Sequence, residues 1–351
     1  MREKGSSPSA KRVFLTILSV FLAVVLVALI ACTAYMERML NLINRNPDDS
    51  TMSQEEYEQF MQDQLATEET GFTGETIDPG DVDLNLNDKP VETQAHIVNI
   101  MLIGQDRRPG EGRQRSDVMI LCTINKTTKE LTMTSFMRDL YVAIPGYRDN
   151  KMNATYSFGG MKLLDKCLES NFGVKVDGNI EVDFDGFTDV INLMGGVDIT
   201  LSNSEANYMR EQGHNVQKGL NHLSGEAALD YTRNRSIGNG DFTRTERQRK
   251  VLNALFEKCR GMSLLQLQKL MESALPMITT DMSNRELLDL LVDVVPLLGD
   301  MQVNTNRIPA DNTFSYAYVT GVGSVLVPDL EANRASLKDI MERTVRPTET
   351  E

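Results

Sequence analysis

The sequence predicts an α/β fold: a three-layer α-β-α domain with a central mixed sheet, preceded by one transmembrane helix. Three observations lead to this prediction. An uncharged apolar run of about 23 residues lies near the N-terminus. From residue 96 onward, short apolar runs alternate with amphipathic stretches, as strands and helices do in layered domains. Two of these runs are separated only by "NKTTK", so at least one strand pair is antiparallel and the sheet is mixed.

The N-terminus has the charge pattern of a membrane anchor. Four basic residues lie within residues 1–12, and residues 13–35 carry no charge. A helix of that length crosses the hydrocarbon core of a bilayer, and the positive-inside rule places residues 1–12 in the cytoplasm and the rest of the chain outside the cell. The protein is therefore expected to be a single-pass protein of the cell membrane. A cleaved signal peptide and a lipid-anchored Cys32 in "LIAC" are the alternatives, but the apolar run is longer than a typical signal.

Residues 36–95 are predicted to form an acidic extracellular linker. From residue 46 to residue 95 the chain holds 14 of its 50 acidic residues and one of its 36 basic residues, so the remainder is nearly neutral although the formal net charge is −14. This stretch has few large apolar side chains to bury, and a short helix around residues 53–65 is the one element it could hold. We therefore expect an extended tether that leads to a domain over residues 96–345, whose balanced charge does not exclude an anionic ligand.

The first half of the domain begins with strands. "HIVNIMLIGQD" is a short apolar run that ends at Gly104, and "DVMILCTINKTTKELTMTSFM" contains the two strands of a hairpin. An amphipathic helix in "GGMKLLDKCLESNFG" follows Gly160 and ends at Gly173. The strand "NIEVDF" then leads to the helix "DGFTDVINLMGG", which begins at Asp185 and stops at two glycines.

The second half is mainly helical. After the strand "VDITLS", apolar spacing predicts four helices in "SGEAALDYTRNR", "TRTERQRKVLNALFEKCR", "SLLQLQKLMESALP" and "SNRELLDLLVDVVPLLG". A strand near residues 302–308 and a last strand and helix in "GSVLVPDLEANRASLKDIMER" complete the domain. The cysteines show no metal-binding spacing, and a disulfide between Cys167 and Cys259 is left open.

Basic side chains are concentrated around one glycine-rich turn, in "YTRNRSIGNGDFTRTERQRKV". Thr243 and Glu246 match a capping box, which predicts a helix that begins at about Arg244. Gln248 lies one turn further along the same stripe, and that stripe continues into apolar residues that face the core.

Four polar side chains therefore converge on this turn: Arg233 and Arg235 from the end of the preceding helix, and Arg244 and Gln248 from the start of the next. A helix N-terminus favours anions, and guanidinium groups bind phosphate through paired hydrogen bonds. The turn is the predicted phosphate site. The remaining basic residues of the stretch are interpreted as a solvated helix face: Arg247, Arg249 and Lys250.

Further polar candidates lie where predicted strands end. Asp106 follows "NIMLIGQ", and Asp117 precedes "VMILC", which places both carboxylates at a sheet edge where α/β folds bind ligands. Together they could hold a Mg²⁺ that bridges phosphate oxygens, or they could be ordinary turn aspartates paired with nearby arginines. The basic candidates near them are Arg107, Arg108, Arg115, Arg138 and Lys151. The alternative for Lys151 is an ordinary surface lysine.

The sequence contains none of the common nucleophile motifs. There is no G-x-S-x-G, no Walker loop and no G-x-G-x-x-G after a strand. Arginines and a divalent cation without a protein nucleophile indicate phosphoryl or pyrophosphate chemistry, in which the protein positions the substrate and stabilises charge. No helix-turn-helix or basic face for nucleic acid is present.

The motifs taken in order resemble the LytR–CpsA–Psr family of Gram-positive cell-wall proteins. The resemblance covers about residues 97–258 and rests on "NIMLIGQD", "RSDVMIL", "SFMRDLYVAIPG", "KMNATYSFGG", "VDFDGFTDVINLMGGVDI", "LSGEAALDYTRNR" and "GDFTRTERQRKV". A short basic tail, one membrane helix and an extracellular domain also fit this family.

The resemblance implies an activity and a set of site residues. It implies a phosphotransferase that moves a glycopolymer, such as teichoic acid or capsule, from a polyprenyl-pyrophosphate carrier to peptidoglycan. Asp106 and Asp117 would bind Mg²⁺ (or Mn²⁺). The positions that match the family's pyrophosphate-binding residues are Arg138, Arg233, Arg235, Arg244 and Gln248, with Arg107 and Arg115 as helpers. The "GQDRR" segment departs from the usual pattern, so which of Arg107 and Arg108 faces the site stays open.

A polyprenyl chain also needs an apolar groove. Four methionines on the predicted strands are candidates to line it, with an ordinary core position as the alternative for each: Met101, Met119, Met133 and Met137. Two other functions remain open at this stage: a polyprenyl-pyrophosphate hydrolase, and a non-catalytic polyprenyl-pyrophosphate-binding scaffold or regulator. The sequence names neither the glycopolymer nor the acceptor sugar, and it does not give the oligomeric state.

Overall fold

The structure is a computed structural model that describes residues 34–45, 49–66, 75–82, 84, 86, 94–105 and 112–343. Within these ranges no helix is both long and apolar enough to cross a membrane. The predicted cytoplasmic tail and residues 13–33 of the predicted membrane helix lie outside the described part. The chain divides into two compact units, residues 1–42 and residues 43–351. In the first unit, residues 34–40 are helical.

Nine helices are assigned in the described part of the second unit. They are α1 (Gln54–Ala66), α2 (Met152–Phe172), α3 (Phe184–Leu193), α4 (Asn203–Glu211), α5 (Gly225–Arg233), α6 (Asp241–Arg260), α7 (Leu264–Ala274), α8 (Asn284–Val294) and α9 (Leu330–Glu342). Short 3-10 turns follow α7 at Leu275–Met277 and α8 at Val295–Asp300.

The strands form one large sheet and three small ones. The six-stranded sheet contains β10 (Thr279–Thr280), β7 (Gly178–Asp183), β2 (Ile97–Gln105), β3 (Ser116–Asn125), β4 (Glu130–Phe136) and β11 (Gln302–Ile308), in that order. The small sheets are β1 (Glu75–Ile77), β12 (Phe314–Val319) and β13 (Gly323–Pro328); β5 (Tyr141–Val142) and β6 (Asn150–Lys151); and β8 (Val197–Leu201) and β9 (Gly219–Leu223).

The large sheet is mixed, as predicted. Strands β2, β3 and β4 pair antiparallel, which confirms the hairpin across "NKTTK". Strand β7 pairs parallel to β2 and β11 pairs parallel to β4, each after a connection that contains helices. The prediction of a mixed-sheet α/β fold is therefore confirmed.

Side chains on the two faces of the central strands pack into two separate hydrophobic cores. Met101 and Ile103 of β2 pack into a core with α2 and α9, whereas Leu102 joins residues of α6 and α8 on the other side of the sheet. Because successive side chains of a strand point to opposite faces, helices must cover both faces of this sheet. The domain is thus layered as helix, sheet and helix.

The four candidate methionines are core residues. Met101, Met119 and Met137 lie in the core beneath α2, and Met133 lies in the core on the other face. Each is almost fully buried, and burial of a methionine side chain stabilises a fold by roughly 1.5–3 kcal/mol. The three described cysteines, Cys122, Cys167 and Cys259, are free, so Cys167 and Cys259 do not pair.

Part of the expected linker is packed on the domain. The short helix predicted around residues 53–65 is present as α1, and Tyr57 and Phe60 on it pack against the core beneath α2. The chain before α1 is also attached, because Asn44 forms a β-bridge with Thr279. An extended tether is the wrong description of these residues, since a few aromatic side chains are sufficient to anchor an otherwise polar helix. The domain boundary at residue 96 stays a prediction.

Helix α6 begins three residues earlier than expected. Its first residue is Asp241, and Gly240 takes the N-cap position with φ 53°. The Oγ1 of Thr243 accepts a hydrogen bond from the backbone of Asn239 (2.7 Å), so this hydroxyl closes the preceding turn instead of capping the helix. The capping-box interpretation of Thr243 and Glu246 was therefore wrong.

Candidate functional site

An acidic residue, Asp241, stands at the centre of the arginine cluster. Its carboxylate accepts from Arg138 Nε at 2.7 Å and lies 3.4 Å from Arg235 Nε and 3.5 Å from Arg244 Nη2. Burial acts to raise the pKa of Asp241, but the charges of Arg244, Arg138 and Arg235 outweigh it, so the net pKa is lowered. Asp241 is thus an anion that holds three guanidinium groups from two parts of the chain in one place.

A second carboxylate, Asp117, joins the same cluster from the start of β3. Arg138 Nη1 lies 3.2 Å from its Oδ1, and Arg235 Nη2 lies 3.9 Å from its Oδ2. The backbone oxygen of Asp117 also accepts a long hydrogen bond from Arg244 Nη2 (3.5 Å). Asp117 and Asp241 therefore act together to hold Arg138, Arg235 and Arg244 side by side.

Lys151 lies at the edge of this cluster. Its Nζ is 3.5 Å from Asp139 Oδ1, and Asp139 Oδ2 is 3.3 Å from Arg138 Nε. Strand β6, which ends at Lys151, pairs with β5 just after Asp139, and this pairing fixes the lysine beside the arginines. Four cations here face three carboxylates, which leaves a net positive charge.

Arg244 carries an unmet hydrogen-bond donor. Its side chain is 3% exposed, and its buried Nε has no partner among the described residues. Burial is the main cause that lowers its pKa to about 10, and the charges of Arg138 and Arg235 add to that effect. A buried guanidinium with a free donor is costly, and an anion that accepts from Nε would relieve this cost.

The cluster opens into a polar cavity of about 500 Å³, the arginine cavity. Its wall consists of Asp117, Val118, Phe184, Tyr208, Thr232, Arg233, Arg235, Ser236, Arg244 and Gln248. Arg233 lies over the ring of Phe184, with its guanidinium carbon 5.0 Å from the ring centre. All four residues predicted to converge on the glycine-rich turn thus line one cavity.

An apolar cavity of about 280 Å³ adjoins the arginine cavity. It lies between the sheet and the helices α3, α5, α6 and α7, and its wall includes Leu102, Ile180, Phe187, Leu229, Leu252 and Leu255. Val118, Phe184, Thr232 and Gln248 belong to the walls of both cavities. None of the four candidate methionines lines the apolar cavity, and their burial in the two cores favours the alternative that they are ordinary core residues.

A third cavity, the outer cavity, occupies about 590 Å³ on the other side of Asp117. Its wall consists of Met52, Phe60, Asp63, Arg113, Gln114, Arg115, Asp117, Arg138, Asn153 and Ser157. The guanidinium of Arg115 lies over the ring of Phe60 at 4.5 Å, so this predicted helper reaches the outer cavity and not the arginine cavity.

Most of the predicted site residues meet in space. Those in or beside the cluster are Asp117, Arg115, Arg138, Lys151, Arg233, Arg235, Arg244 and Gln248. Asp106, Arg107 and Arg108 lie outside the described residues, so their positions and roles stay predictions. Asp241 was not singled out from the sequence, although an acidic residue directly after a glycine in the first turn of a helix is a recognisable signal.

Two arginines assigned to a solvated face are buried. Arg247 is 2% exposed and donates to Glu205 (3.0 Å) and to the backbone oxygens of Asn234 (3.0 Å) and Ile237 (3.1 Å). Arg249 donates to the hydroxyl of Ser135 (2.7 Å) on β4. Arg247 therefore secures the loop that carries Arg235, which the charge pattern alone did not reveal.

The cluster contains one of the oxygen ligands that a divalent cation would need. Among the described residues, no three metal-binding side chains come close enough together to hold an ion by themselves. Asp117 does line both polar cavities, and Mg²⁺ in phosphate sites commonly takes one or two carboxylates together with phosphate oxygens. The chemistry of this donor fits the predicted cation, and the other predicted ligand, Asp106, lies outside the described residues.

Known proteins share both the sequence pattern and the fold. The sequence profile of the LytR_cpsA_psr family matches residues 59–336. The regulatory protein MsrR of Staphylococcus aureus (strain Mu50) is 29% identical over 263 residues, which is 75% of this chain and 79% of MsrR. The polyisoprenyl-teichoic acid–peptidoglycan teichoic acid transferase TagU of Bacillus mycoides is 35% identical over 175 residues, which is 49% of this chain and 56% of TagU. The crystal structure of B. subtilis TagV superposes with a TM-score of 0.58 at 28% identity, over 73% of this chain and all of TagV.

Proposed function

The chain belongs to the LytR_cpsA_psr family, and from that premise we propose that it is a membrane-anchored extracellular phosphotransferase. It would move a glycopolymer from a polyprenyl-pyrophosphate carrier to peptidoglycan, with Mg²⁺ or Mn²⁺ as cofactor. The name of TagU describes a transfer of this kind from a polyisoprenyl carrier to peptidoglycan. The proposed anchor is residues 13–35, with residues 1–12 in the cytoplasm.

One observation supports this proposal above the others: the apolar cavity and the arginine cavity share a wall. A polyprenyl diphosphate has the same two parts, a hydrocarbon chain joined directly to a dense negative charge. The apolar cavity would take the first units of the chain, and the arginine cavity would take the diphosphate. The buried Arg244, with an unmet donor at Nε, provides the charge that such a ligand needs.

The arrangement of the cluster defines what each residue would do in the transfer. An acceptor sugar hydroxyl would form a new bond to the glycan-linked phosphorus, and the bond from that phosphorus to the polyprenyl phosphate would break. Arg138, Arg235 and Arg244 would hold the phosphate oxygens and stabilise the charge on the leaving group. The hydroxyl proton would pass to an active-site aspartate. Asp106 and Asp117 would hold the Mg²⁺, which supplies further charge neutralisation at the phosphate oxygens when bound.

A transfer assay tests this function. The full-length chain in detergent micelles would be incubated with a polyprenyl-pyrophosphate-linked glycan, peptidoglycan fragments and Mg²⁺, and the product that joins glycan to peptidoglycan would be quantified. We expect product that disappears on chelation with EDTA and returns with Mg²⁺. Arg235→Ala and Asp117→Ala should lower the rate by about a hundredfold or more, as loss of groups that stabilise transition-state charge does. Arg285→Ala, at an arginine that is 91% exposed on α8, is the matched control and should leave the rate unchanged.

The alternatives give different results in the same assay. Release of polyprenyl phosphate without glycan joined to peptidoglycan would identify a hydrolase. Tight binding of the carrier with no turnover would identify a non-catalytic scaffold or regulator, which is the reading that similarity to the regulatory protein MsrR favours.

A further inference from the structure

Two acidic side chains outside the arginine cluster meet at one buried amide. The Nδ2 of Asn179 on β7 donates to Asp165 Oδ2 on α2 (3.0 Å) and to Asp281 Oδ2 in the loop after β10 (2.8 Å). The backbone N–H of Asn179 donates to Asp281 Oδ1 (2.8 Å), so both oxygens of Asp281 hold this residue in place. The same loop accepts a hydrogen bond from Arg45 at the backbone oxygen of Met282. The amide is therefore fixed between two carboxyl groups.

The pair formed by Asp165 and Asn179 lacks one hydrogen atom. Asn179 is fully buried, and its Oδ1 has no partner among the described residues. Asp165 Oδ1 is also buried without a partner in this part of the chain. Both atoms are acceptors when the carboxyl group is ionised, so neither can satisfy the other. A proton on Asp165 Oδ1 would donate to Asn179 Oδ1 and complete a cyclic pair in which acid and amide each donate once.

The surroundings of Asp165 favour its neutral form. Burial is the main cause that raises its pKa to about 7, and its hydrogen bond from Asn179 acts in the opposite direction. The charges of Asp281, Asp49 and Glu169 raise the pKa further. An ionised Asp165 would thus face three other carboxylates.

The other charged side chains nearby have partners of their own. Lys162 on α2 is 74% exposed, and its Nζ lies 3.3 Å from Asp49 Oδ2. Glu181 on β7 accepts a hydrogen bond from the hydroxyl of Tyr156 and adds a further acidic group. The charges around Asp165 therefore oppose the loss of its proton.

Asp49 connects this group of residues to the N-terminal strap, which we define as residues 49–66 and which contains α1. Non-helical backbone angles at residues 159–160 interrupt α2, so its second part begins at Met161 with free backbone N–H groups. Asp49 Oδ1 accepts from the backbone N–H of Met161 (2.9 Å). Asp165 lies one turn further along the same helix. The carboxylate that attaches the strap to α2 is thus a neighbour of the proton-binding pair.

We propose that Asp165 and Asn179 form a proton-binding pair that controls how firmly the N-terminal strap is attached to the domain. With the proton bound, the acid–amide pair is complete and Asp165 carries no charge. When the proton leaves to solvent, Asp165 becomes an anion that repels Asp49. A metal cation is a poorer ligand for this place, because the Nδ2 of Asn179 directs its N–H groups at both carboxyl groups.

The direction of the pH effect follows from the linkage between the strap and the proton. An attached strap keeps Asp49 near Asp165 and contributes to the raised pKa of Asp165, whereas a released strap removes that contribution. Attachment is therefore firmest while Asp165 is protonated, and it weakens as the pH rises through about 7.

Infrared difference spectroscopy of the full-length chain in detergent micelles tests the proton itself. Spectra recorded between pH 5 and pH 9 should contain the C=O stretch of a protonated carboxyl group that disappears with a midpoint near pH 7. Asp165→Asn should lack this band. Asp289→Asn, at an exposed aspartate on α8, is the control and should keep it.

Hydrogen exchange of the same chains tests the attachment of the strap. After correction for the intrinsic exchange rate, opening of residues 49–66 in the wild type should increase about tenfold between pH 6 and pH 8, which corresponds to a coupling of one pKa unit. Asp165→Asn imitates the protonated acid, because its amide both donates and accepts. Asp49→Asn removes the repelled charge. In both variants the opening should not depend on pH, and peptides of α9 provide the internal reference.

Three results would overturn the proposal. The first is the absence of a band with a midpoint near pH 7 that Asp165→Asn removes. The second is strap opening in the wild type that does not change with pH. The third is loss of the band at pH 6 on addition of CaCl₂, which would identify a cation site in place of the proton. Neither measurement uses a carrier or peptidoglycan, so both results are independent of the transfer assay.

Discussion

At the scale of single residues, the site depends on carboxylates that balance buried cations. Asp241 and Asp117 keep Arg138, Arg235 and Arg244 close together, although like charges at this distance repel. The carboxylates do not meet every donor, since Arg244 Nε stays unpaired among the described residues. The balance leaves the cluster with a net positive charge, which favours an anionic ligand.

Replacement of Asp241 should make the protein dependent on an added anion. Asp241→Asn removes the central negative charge, so we expect the free energy of unfolding to fall by roughly 2 kcal/mol. Inorganic pyrophosphate should restore part of this loss, because it supplies the missing charge. Thermal unfolding with and without pyrophosphate measures the effect, and Asp289→Asn at an exposed position is the control. Equal pyrophosphate shifts in the wild type and Asp241→Asn would contradict the role given to Asp241.

A buried carboxyl group outside the cluster, that of Asp165, predicts the pH dependence of stability. Burial raises the pKa of Asp165 to about 7, with only partial relief from its hydrogen bond to Asn179 (3.0 Å). A folded-state pKa above the unfolded value means that this group stabilises the fold fully below about pH 4 and loses that effect as the pH rises through about 7. Asp165→Asn should therefore raise the free energy of unfolding at pH 8 relative to the wild type. Chemical unfolding of both chains at pH 5 and pH 8 measures this free energy. Equal values for the wild type and Asp165→Asn at pH 8 would contradict the prediction.

At the scale of elements, two helices are fixed by side chains that the sequence pattern assigned to solvent or to a linker. Arg247 on α6 forms an ion pair with Glu205 on α4 and also donates to two backbone oxygens of the loop before α6, so this one buried arginine fixes the loop that carries Arg235. Helix α1 is fixed by Tyr57 and Phe60, and it completes the wall of the outer cavity. In both cases the site depends on side chains that do not themselves line the arginine cavity.

The ion pair between α4 and α6 should be sensitive to acid. Burial opposes ionisation of Glu205, but hydrogen bonds from Ser202, Arg247 and Tyr231 outweigh it and lower its pKa to about 2. Because the folded-state pKa lies below the unfolded one, this stabilisation is complete above about pH 4.5 and is lost as the pH falls towards 2. Glu205→Gln should cost on the order of 2 kcal/mol at pH 7 and much less near pH 2. Urea unfolding across this pH range compares the wild type with Glu205→Gln, and Glu257→Gln is the control. A difference in the free energy of unfolding that does not change with pH would contradict the role given to Glu205.

At the scale of the whole molecule, three cavities of different character lie next to one another along the sheet and its covering helices. The apolar cavity lies between the sheet and one helical layer, the arginine cavity lies at the start of α6, and the outer cavity lies beneath α1. No single element forms any of them. The substrate proposed here would therefore contact strands and helices from most of the chain.

The segment before the predicted domain should contribute to stability. A chain shortened to begin at residue 96 loses Tyr57 and Phe60 and exposes Phe158 and Tyr147, whereas a chain that begins at residue 43 keeps them. We expect the shorter chain to melt about 5–10 °C lower, from a few kcal/mol of lost apolar burial. Differential scanning calorimetry of both chains measures this, and equal melting temperatures would show that α1 adds no stability.

Local patterns in the sequence were sufficient to predict the mixed-sheet α/β fold and the group of basic side chains at one turn. Alternating strands and helices require helices on both faces of a sheet, and the "NKTTK" hairpin requires the sheet to be mixed. The spacing of Arg233, Arg235, Arg244 and Gln248 placed four side chains at one turn, and they line one cavity. These features depend on neighbours within one or two elements, where local periodicity fixes the direction of a side chain.

Long-range packing determines which charges are buried and which residues surround the cluster. Asp241 meets Arg138 from 103 positions away, and Arg247 meets Glu205 from 42 positions away, so no local pattern relates them. The same holds for α1. Its polar sequence indicates a tether, but its aromatic side chains pack against the rings of Tyr147 and Phe158. A cavity is bounded by residues from many elements, and its volume depends on how those elements pack together. That is why the apolar, arginine and outer cavities could not be read from the sequence.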